Sequence, residues 1–154
     1  MGNPDVSVSV RLATLEDVPG LSGLLTVLFC QELEFTPDPA RQAAGLEMIL
    51  RHPSVGRIYC AVAGTEVVGM VSILFTVSTA QGGQAAWLED MVVHPGWRDH
   101  GIGNRLLQDA ITGARTCGCS RITLLADAGN ESAMRFYGRS GFVRSSMVPL
   151  RLEL

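Results

Sequence analysis

Apolar and polar residues alternate over residues 6–11, with Val6, Val8 and Val10 on one side, and this period of two predicts a β-strand. The period then changes. Thr14 reads as an N-cap ahead of Glu16 and Asp17, and Leu15, Val18, Leu21, Leu24, Leu25 and Leu28 follow at helical spacing, giving a first helix with one continuous apolar stripe. Pro37 and Pro39 mark a turn, and residues 40–50 read as a second helix that ends before His52-Pro53. Residues 57–63 and 66–77 read as two strands joined by a Gly64-Thr65 hairpin turn. After the loop Gln81-Gly82-Gly83-Gln84, an apolar run closing at Val93 predicts a buried fourth strand. A third helix over residues 101–115 buries Ile102, Leu106, Leu107, Ala110 and Ile111; Gly113 weakens its last turn and Gly118 stops it. Residues 121–126 predict a fifth strand and residues 130–139 a short fourth helix. Gly141-Phe142 then turns into a final strand or hairpin, with Pro149 at an edge or bulge. There is no repeat, linker or low-complexity segment, so residues 1–154 read as one α/β domain around a mixed sheet.

Composition narrows the class. A chain of 154 residues, 47% hydrophobic and 18% charged, is long enough for one self-sufficient core and fits a globular soluble protein. Its net charge of −3 gives no electrostatic case for nucleic acid or an anionic membrane. No apolar run approaches the ~20 residues that a membrane span requires. The first residues lack a basic region followed by an apolar one, and Val6 does not suit myristoylation at Gly2, so the expectation is a cytoplasmic protein without a leader. Cys30, Cys60, Cys117 and Cys119 match no zinc or redox spacing; they read as reduced, mostly buried thiols, and no metal is expected.

The chemistry concentrates at residues 98–103. Arg98-x-x-Gly101-x-Gly103 opens a helix directly after Pro95 and Gly96 break the fourth strand. A glycine-rich helix start leaves main-chain N–H groups unpaired at the positive end of the helix dipole, which suits a phosphorylated ligand. A P-loop would require Gly-Lys-Ser/Thr here, and none is present. A dinucleotide-binding fold, and with it a dehydrogenase, has Asp127 in its favour as a ribose carboxylate. It lacks the third glycine, however, and too little chain follows Asp127 for the remaining βα units.

The Arg98-x-x-Gly101-x-Gly103 loop after an apolar strand, together with Asn130-Glu-Ser-Ala-Met-Arg-Phe-Tyr137-Gly-Arg-Ser-Gly-Phe142, resembles the acetyl-CoA-binding motifs of the GCN5-related N-acetyltransferase (GNAT) family. The order of predicted elements agrees along the whole chain, and Leu88-Glu89-Asp90 with Phe136-Tyr137 is similar to the branch of diamine and polyamine acetyltransferases. The resemblance implies a mixed, mostly antiparallel sheet flanked by about four helices and splayed between the fourth and fifth strands. It implies a pantetheine arm along the backbone of Met91, Val92 and Val93, and a pyrophosphate wrapped by Arg98, Asp99, His100, Gly101, Ile102, Gly103 and Asn104. Asn130, Ala133 and Tyr137 would complete the coenzyme contacts.

The implied reaction is attack of an amine on the thioester carbonyl in a ternary complex, giving an amide and CoA thiol with no covalent enzyme intermediate. Tyr137 takes the family position for the acid that protonates the leaving sulfur; a phenol near pKa 10 holds its proton at pH 7. Glu89 is the favoured base. An ordinary carboxylate near 4.3 facing an ammonium near 10.4 is about 8 kcal/mol short, so Glu89 requires a raised pKa, a water chain, or a mainly electrostatic role. Strand alternation puts Asp90 on the opposite face, leaving one of the pair in the cleft. His94 and His100 sit beside the expected pyrophosphate rather than the reacting carbon. Glu32 and Glu34, with Asp38, lie between the first two helices where acceptor recognition is expected, and Trp87 and Phe35 are candidate apolar walls. The expected partners are a small-molecule or peptide amine and a second copy of the chain. The alternatives are an acyltransferase using a longer acyl-CoA and a non-catalytic CoA-binding sensor module.

Overall fold

The computed structural model describes residues 6–154; the leader and myristoylation readings at the extreme N-terminus rest mainly on residues 1–5, outside the described residues. The chain divides into two compact units, the first ending at Leu124 and the second Leu125–Leu154.

In the first unit, five strands form one sheet in sequence order: β1 Val8–Leu12, β2 Gly56–Ala63, β3 Glu66–Ser78, β4 Gly83–Val93 and β5 Ile122–Leu124. The first four are antiparallel neighbours and β5 runs parallel to β4, so the sheet is mixed as predicted. Gly64, at φ 59°, closes the two-residue turn between β2 and β3. The first helix, α1 Val18–Gln31, follows a short 3-10 turn at Leu15–Asp17. Asp17 accepts the Thr14 N–H at 2.7 Å and receives both nitrogens of Arg11 at 2.8 and 2.9 Å, which ties β1 to the start of α1. The second helix, α2 Pro39–Arg51, is capped by Asp38, whose Oδ1 accepts the Arg41 N–H at 3.1 Å.

The apolar stripe of α1 and Leu46 of α2 pack with Ile58, Cys60, Met70 and Val92 on one face of the sheet. Gly69, one residue before Met70 and so on the other face, meets Leu106 and Ile102 of the third helix, α3 Ile102–Thr116. Gly113, read from sequence as a weak point of α3, lies against the Tyr59 ring, where a β-carbon would not fit.

The second unit is built on α4 Glu131–Arg139. Its C-terminus is a Schellman cap: Gly141 adopts φ 94°, its N–H bonds the Gly138 carbonyl at 3.0 Å, and the Phe142 N–H bonds the Tyr137 carbonyl at 3.2 Å. The expected apolar contact of that motif is also made, with the Tyr137 and Phe142 rings 5.7 Å apart.

Three expectations are corrected. β5 is three residues long rather than six. The predicted final strand or hairpin does not form: among the described residues no ladder is present beyond Phe142, and Val148, Leu150 and Leu152, which alternate with polar or proline positions, are exposed. Of the four thiols only Cys60 is buried, because Cys30 lies on the outer turn of α1 and Cys117 and Cys119 lie in the half-exposed turn after α3.

Candidate active site

β4 pairs with β5 only through Ala86, Trp87 and Leu88. From Glu89 to Val93 it keeps β3 on one side, and among the described residues no strand pairs with it on the other, which is the splay the sequence resemblance implied. Met91, Val92 and Val93 therefore present a free main-chain edge, the feature that accepts an extended ligand arm. The Val92 side chain is buried in the core, so only its backbone is available.

The chain then turns sharply. The His94 Nδ1 accepts the Gly96 N–H at 3.1 Å and so caps the turn Pro95–Trp97, a structural use of this histidine. Arg98 folds back, its Nε donating to the Val93 carbonyl at 3.2 Å, and keeps its terminal nitrogens outside that bond. The His100 Nδ1 lies 2.6 Å from the Arg98 carbonyl, so this nitrogen carries the ring proton. Asp99 and Gly101 both take left-handed backbone conformations, φ 65° and 74°. Asp99 is the only non-glycine residue with positive φ among the described residues, a conformation aspartate tolerates better than most side chains. Gly101 caps α3 without a side-chain bond, and the first helical bond runs from the Arg105 N–H to the Gly101 carbonyl at 3.1 Å. The N–H groups of Ile102, Gly103 and Asn104 precede that bond and point out of the helix start. Ile102 itself is buried, so it too offers only backbone.

At the other end of the free edge the sheet register slips. Val71 pairs with Met91 and Ile73 pairs with Leu88, so two residues, Glu89 and Asp90, stand opposite Ser72 alone. Val71 and Ile73 share one face of β3, so their partners Met91 and Leu88 share it too, and the two intervening residues fall to the opposite face, that of Ser72 and of the core under α1. Asp90 therefore does not lie on the far face that strict strand alternation predicts. The Asp90 N–H donates to Ser72 Oγ at 3.2 Å and the Ser72 hydroxyl donates to Asp90 Oδ2 at 3.4 Å. Burial, then the charges of Glu89 and Glu32, push the Asp90 carboxyl from 3.8 to about 6, against the Ser72 bond that lowers it. Glu32, just past α1, is raised by burial and by Glu34 and Glu89. The fold thus assembles Glu32, Glu34, Glu89 and Asp90 into one electrostatic group. Ser72, fully buried mid-strand, had no sequence signal; only the register reveals it. Asp38 is engaged as the α2 cap and pairs with Arg41 at 3.4 Å. Trp87 is 38% exposed on β4, and Phe35 packs on Phe29 with ring centres 5.5 Å apart.

The second unit carries Asn130, Ala133 and Tyr137. Asn130 Oδ1 accepts the Ala133 N–H at 3.0 Å and so acts as the N-cap of α4, leaving its amide nitrogen outside the cap. Tyr137 lies edge-on to Phe136 and Phe142, and burial pushes its phenol from 10.0 up to about 12. A cleft of about 490 Å³ runs along α1, lined by Glu16, Gly20, Val67 and His94 among others; of the residues expected near the coenzyme it includes His94 alone. Among the described residues no group of three or more His, Cys, Asp or Glu side chains is placed to hold a metal ion, and no helix is long and apolar enough to cross a membrane.

The chain is similar to known proteins over most of its length. The chain is 31% identical to glucosamine 6-phosphate N-acetyltransferase of Trypanosoma brucei brucei, over 93% of this chain and 84% of that protein. It is 30% identical to aminoalkylphosphonate N-acetyltransferase of Salmonella typhimurium, over 88% of this chain and 85% of the relative. Among solved structures, an integron cassette protein from the mobile metagenome of Cole Harbour Salt Marsh superposes with a TM-score of 0.82 at 28% identity, covering 94% of this chain and 90% of that one. The model of the acetyltransferase (GNAT) family matches residues 24–142, a span that includes the free β4 edge, the loop before α3 and all of α4, and the chain belongs to that family.

Proposed function

We propose that this protein is a cytoplasmic, homodimeric enzyme of one catalytic domain that transfers an acetyl group from acetyl-CoA to a primary amine by direct attack in a ternary complex. The observation that carries the reading is the pairing of a free β4 edge with a helix start whose left-handed residues leave N–H groups unpaired. Residues 98–104 fit a diphosphate. Asp99 and Gly101 hold the loop open, and hydrogen bonds to a charged acceptor contribute roughly 1.5–3 kcal/mol each, so three or four suffice to anchor the coenzyme. Met91, Val92 and Val93 receive the pantetheine arm through main-chain bonds, and Asn130 and Ala133 extend the contacts from α4.

Tyr137 gives its proton to the sulfur as the C–N bond forms and the C–S bond breaks, and the N–H proton that the nitrogen sheds on becoming an amide returns the phenol to its acid form. Its phenol, raised toward 12 by burial, stays protonated across the working range. Glu89, with Glu32 and Glu34, draws a cationic amine to the reacting carbon. This favours an acceptor with several ammonium groups, a polyamine or an aminoglycoside, over the phosphorylated and phosphonate-bearing amines for which the two relatives are named.

A thiol-release assay with acetyl-CoA against a panel containing spermidine, an aminoglycoside, glucosamine 6-phosphate and an aminoalkylphosphonate tests the reading. Turnover is expected, fastest with the multiply cationic amines. Coenzyme binding without thiol release on any amine would refute it.

A further inference from the structure

We propose that Asp90, rather than Glu89, takes the proton from the acceptor's ammonium, held in place by the Ser72 hydroxyl across the β4 bulge. The proposal rests on the acetyl-transfer reading and refines it. An amine attacks only with a free lone pair, so one N–H proton must leave the ammonium before the C–N bond forms. Asp90 is positioned to accept it. The bulge turns its side chain to the same face as Glu89, and the reciprocal pair of bonds with Ser72 fixes its backbone and Oδ2, leaving Oδ1 outside those bonds.

The two carboxylates differ in surroundings. Glu89 is exposed, whereas Asp90 is partly buried between β3 and α1. The groups that act on Asp90 are Glu89 on its own strand, Glu32 at the end of α1, and Ser72 from β3; no cation is among them. Two negative charges and partial burial make Asp90 a better proton acceptor than an ordinary carboxylate, and its value of about 6 places the change of state just below neutral pH. Glu89 thereby serves Asp90 twice, by raising its basicity and by offering the proton an exposed carboxylate on the way to solvent. The balance closes simply: the ammonium becomes a neutral amine, Asp90 becomes a neutral acid, and water regenerates the carboxylate.

The test is the pH dependence of kcat/KM on the best amine of the panel. The wild type should show a rising limb with its midpoint near 6, in addition to any limb from the amine itself. Asp90→Asn should abolish that limb and lower kcat/KM at least tenfold at pH 7.5. Ser72→Ala should move the midpoint upward, because the bond it removes favours the charged form, and Glu89→Gln should move it downward by deleting a like charge. The same burial predicts that Asp90→Asn melts at a higher temperature than the wild type at pH 8. A folded carboxyl raised above its unfolded value costs stability as pH climbs through its folded pKa. A wild-type limb that persists unchanged in Asp90→Asn overturns the role of Asp90 while leaving acetyl transfer intact. Failure of the wild type to turn over any amine overturns both.

Discussion

Residues 98–104 present main-chain N–H groups at a helix start shaped by two left-handed residues, whereas the bulge at Glu89 and Asp90 presents two carboxylates, of which Asp90 is held by Ser72 of β3 and raised by burial and by the charges of Glu89 and Glu32. Both lie at the free edge of β4, one beyond its end and one at its bulge. The loop offers groups that do not titrate, in a conformation set within a few residues. The bulge offers carboxylates in a geometry set by register across the sheet. On the proposed reading, the first region governs affinity for the coenzyme and the second governs the pH dependence of the rate.

The largest expected effect lies outside both regions and isolates them. Tyr137→Phe should lower kcat about a hundredfold, the size of a lost general acid, with CoA affinity nearly unchanged by calorimetry. Retention of full turnover would remove the phenol from the mechanism. Next, Gly101→Val sharpens the contrast by attacking the loop alone. Valine at φ 74° cannot hold the turn and its side chain intrudes on the ligand space, so CoA affinity should fall on the order of tenfold to a hundredfold, the loss of one charge-assisted bond. The midpoint of the rate limb should stay where it was; a shifted midpoint would mean that the two regions are coupled.

Further down, Asp17→Asn probes acid stability away from the site. Arg11, first, and then the Thr14 N–H hold the Asp17 carboxyl near 2, below its usual 3.8, so its contribution is complete above pH 4 and is lost as pH falls toward 2. Because Arg11 is 43% exposed, the cost of the variant near neutral pH should be only about 1–2 kcal/mol, read from urea unfolding. Acid melting between pH 4 and 2 should flatten in the variant. The smallest effect is expected for Gly141→Ala, which burdens the left-handed cap of α4 by about 1 kcal/mol and loosens the Phe142–Tyr137 contact. A few-fold loss in kcat with unchanged CoA affinity would show that the cap positions the phenol.

Local signals made several elements legible. Thr14 with Asp17, Asp38 with Arg41, and Asn130 with Ala133 are capping interactions between residues three apart, so these helix starts lie within the reach of sequence spacing. Gly101 and Gly141 mark left-handed positions for the same reason. The final strand expected after the Gly141-Phe142 turn does not form, because a turn and a few apolar residues state only that a strand could follow; the ladder requires a partner that the described residues do not provide. Asp90 was misplaced because a period of two holds only while both strands advance together.

By itself the sequence determined the order of helices and strands as far as α4, the helix start that suits a diphosphate, and the family motifs around Gly101 and Tyr137. These depend on contacts between residues close along the chain, where spacing and backbone sterics suffice. Only the tertiary structure decided that β5 stops at Leu124, that Ser72 stands opposite two acids, and that Glu32 raises Asp90 across the face of the sheet. Those outcomes depend on how strands register against one another and on which charges burial brings together. No local pattern encodes either.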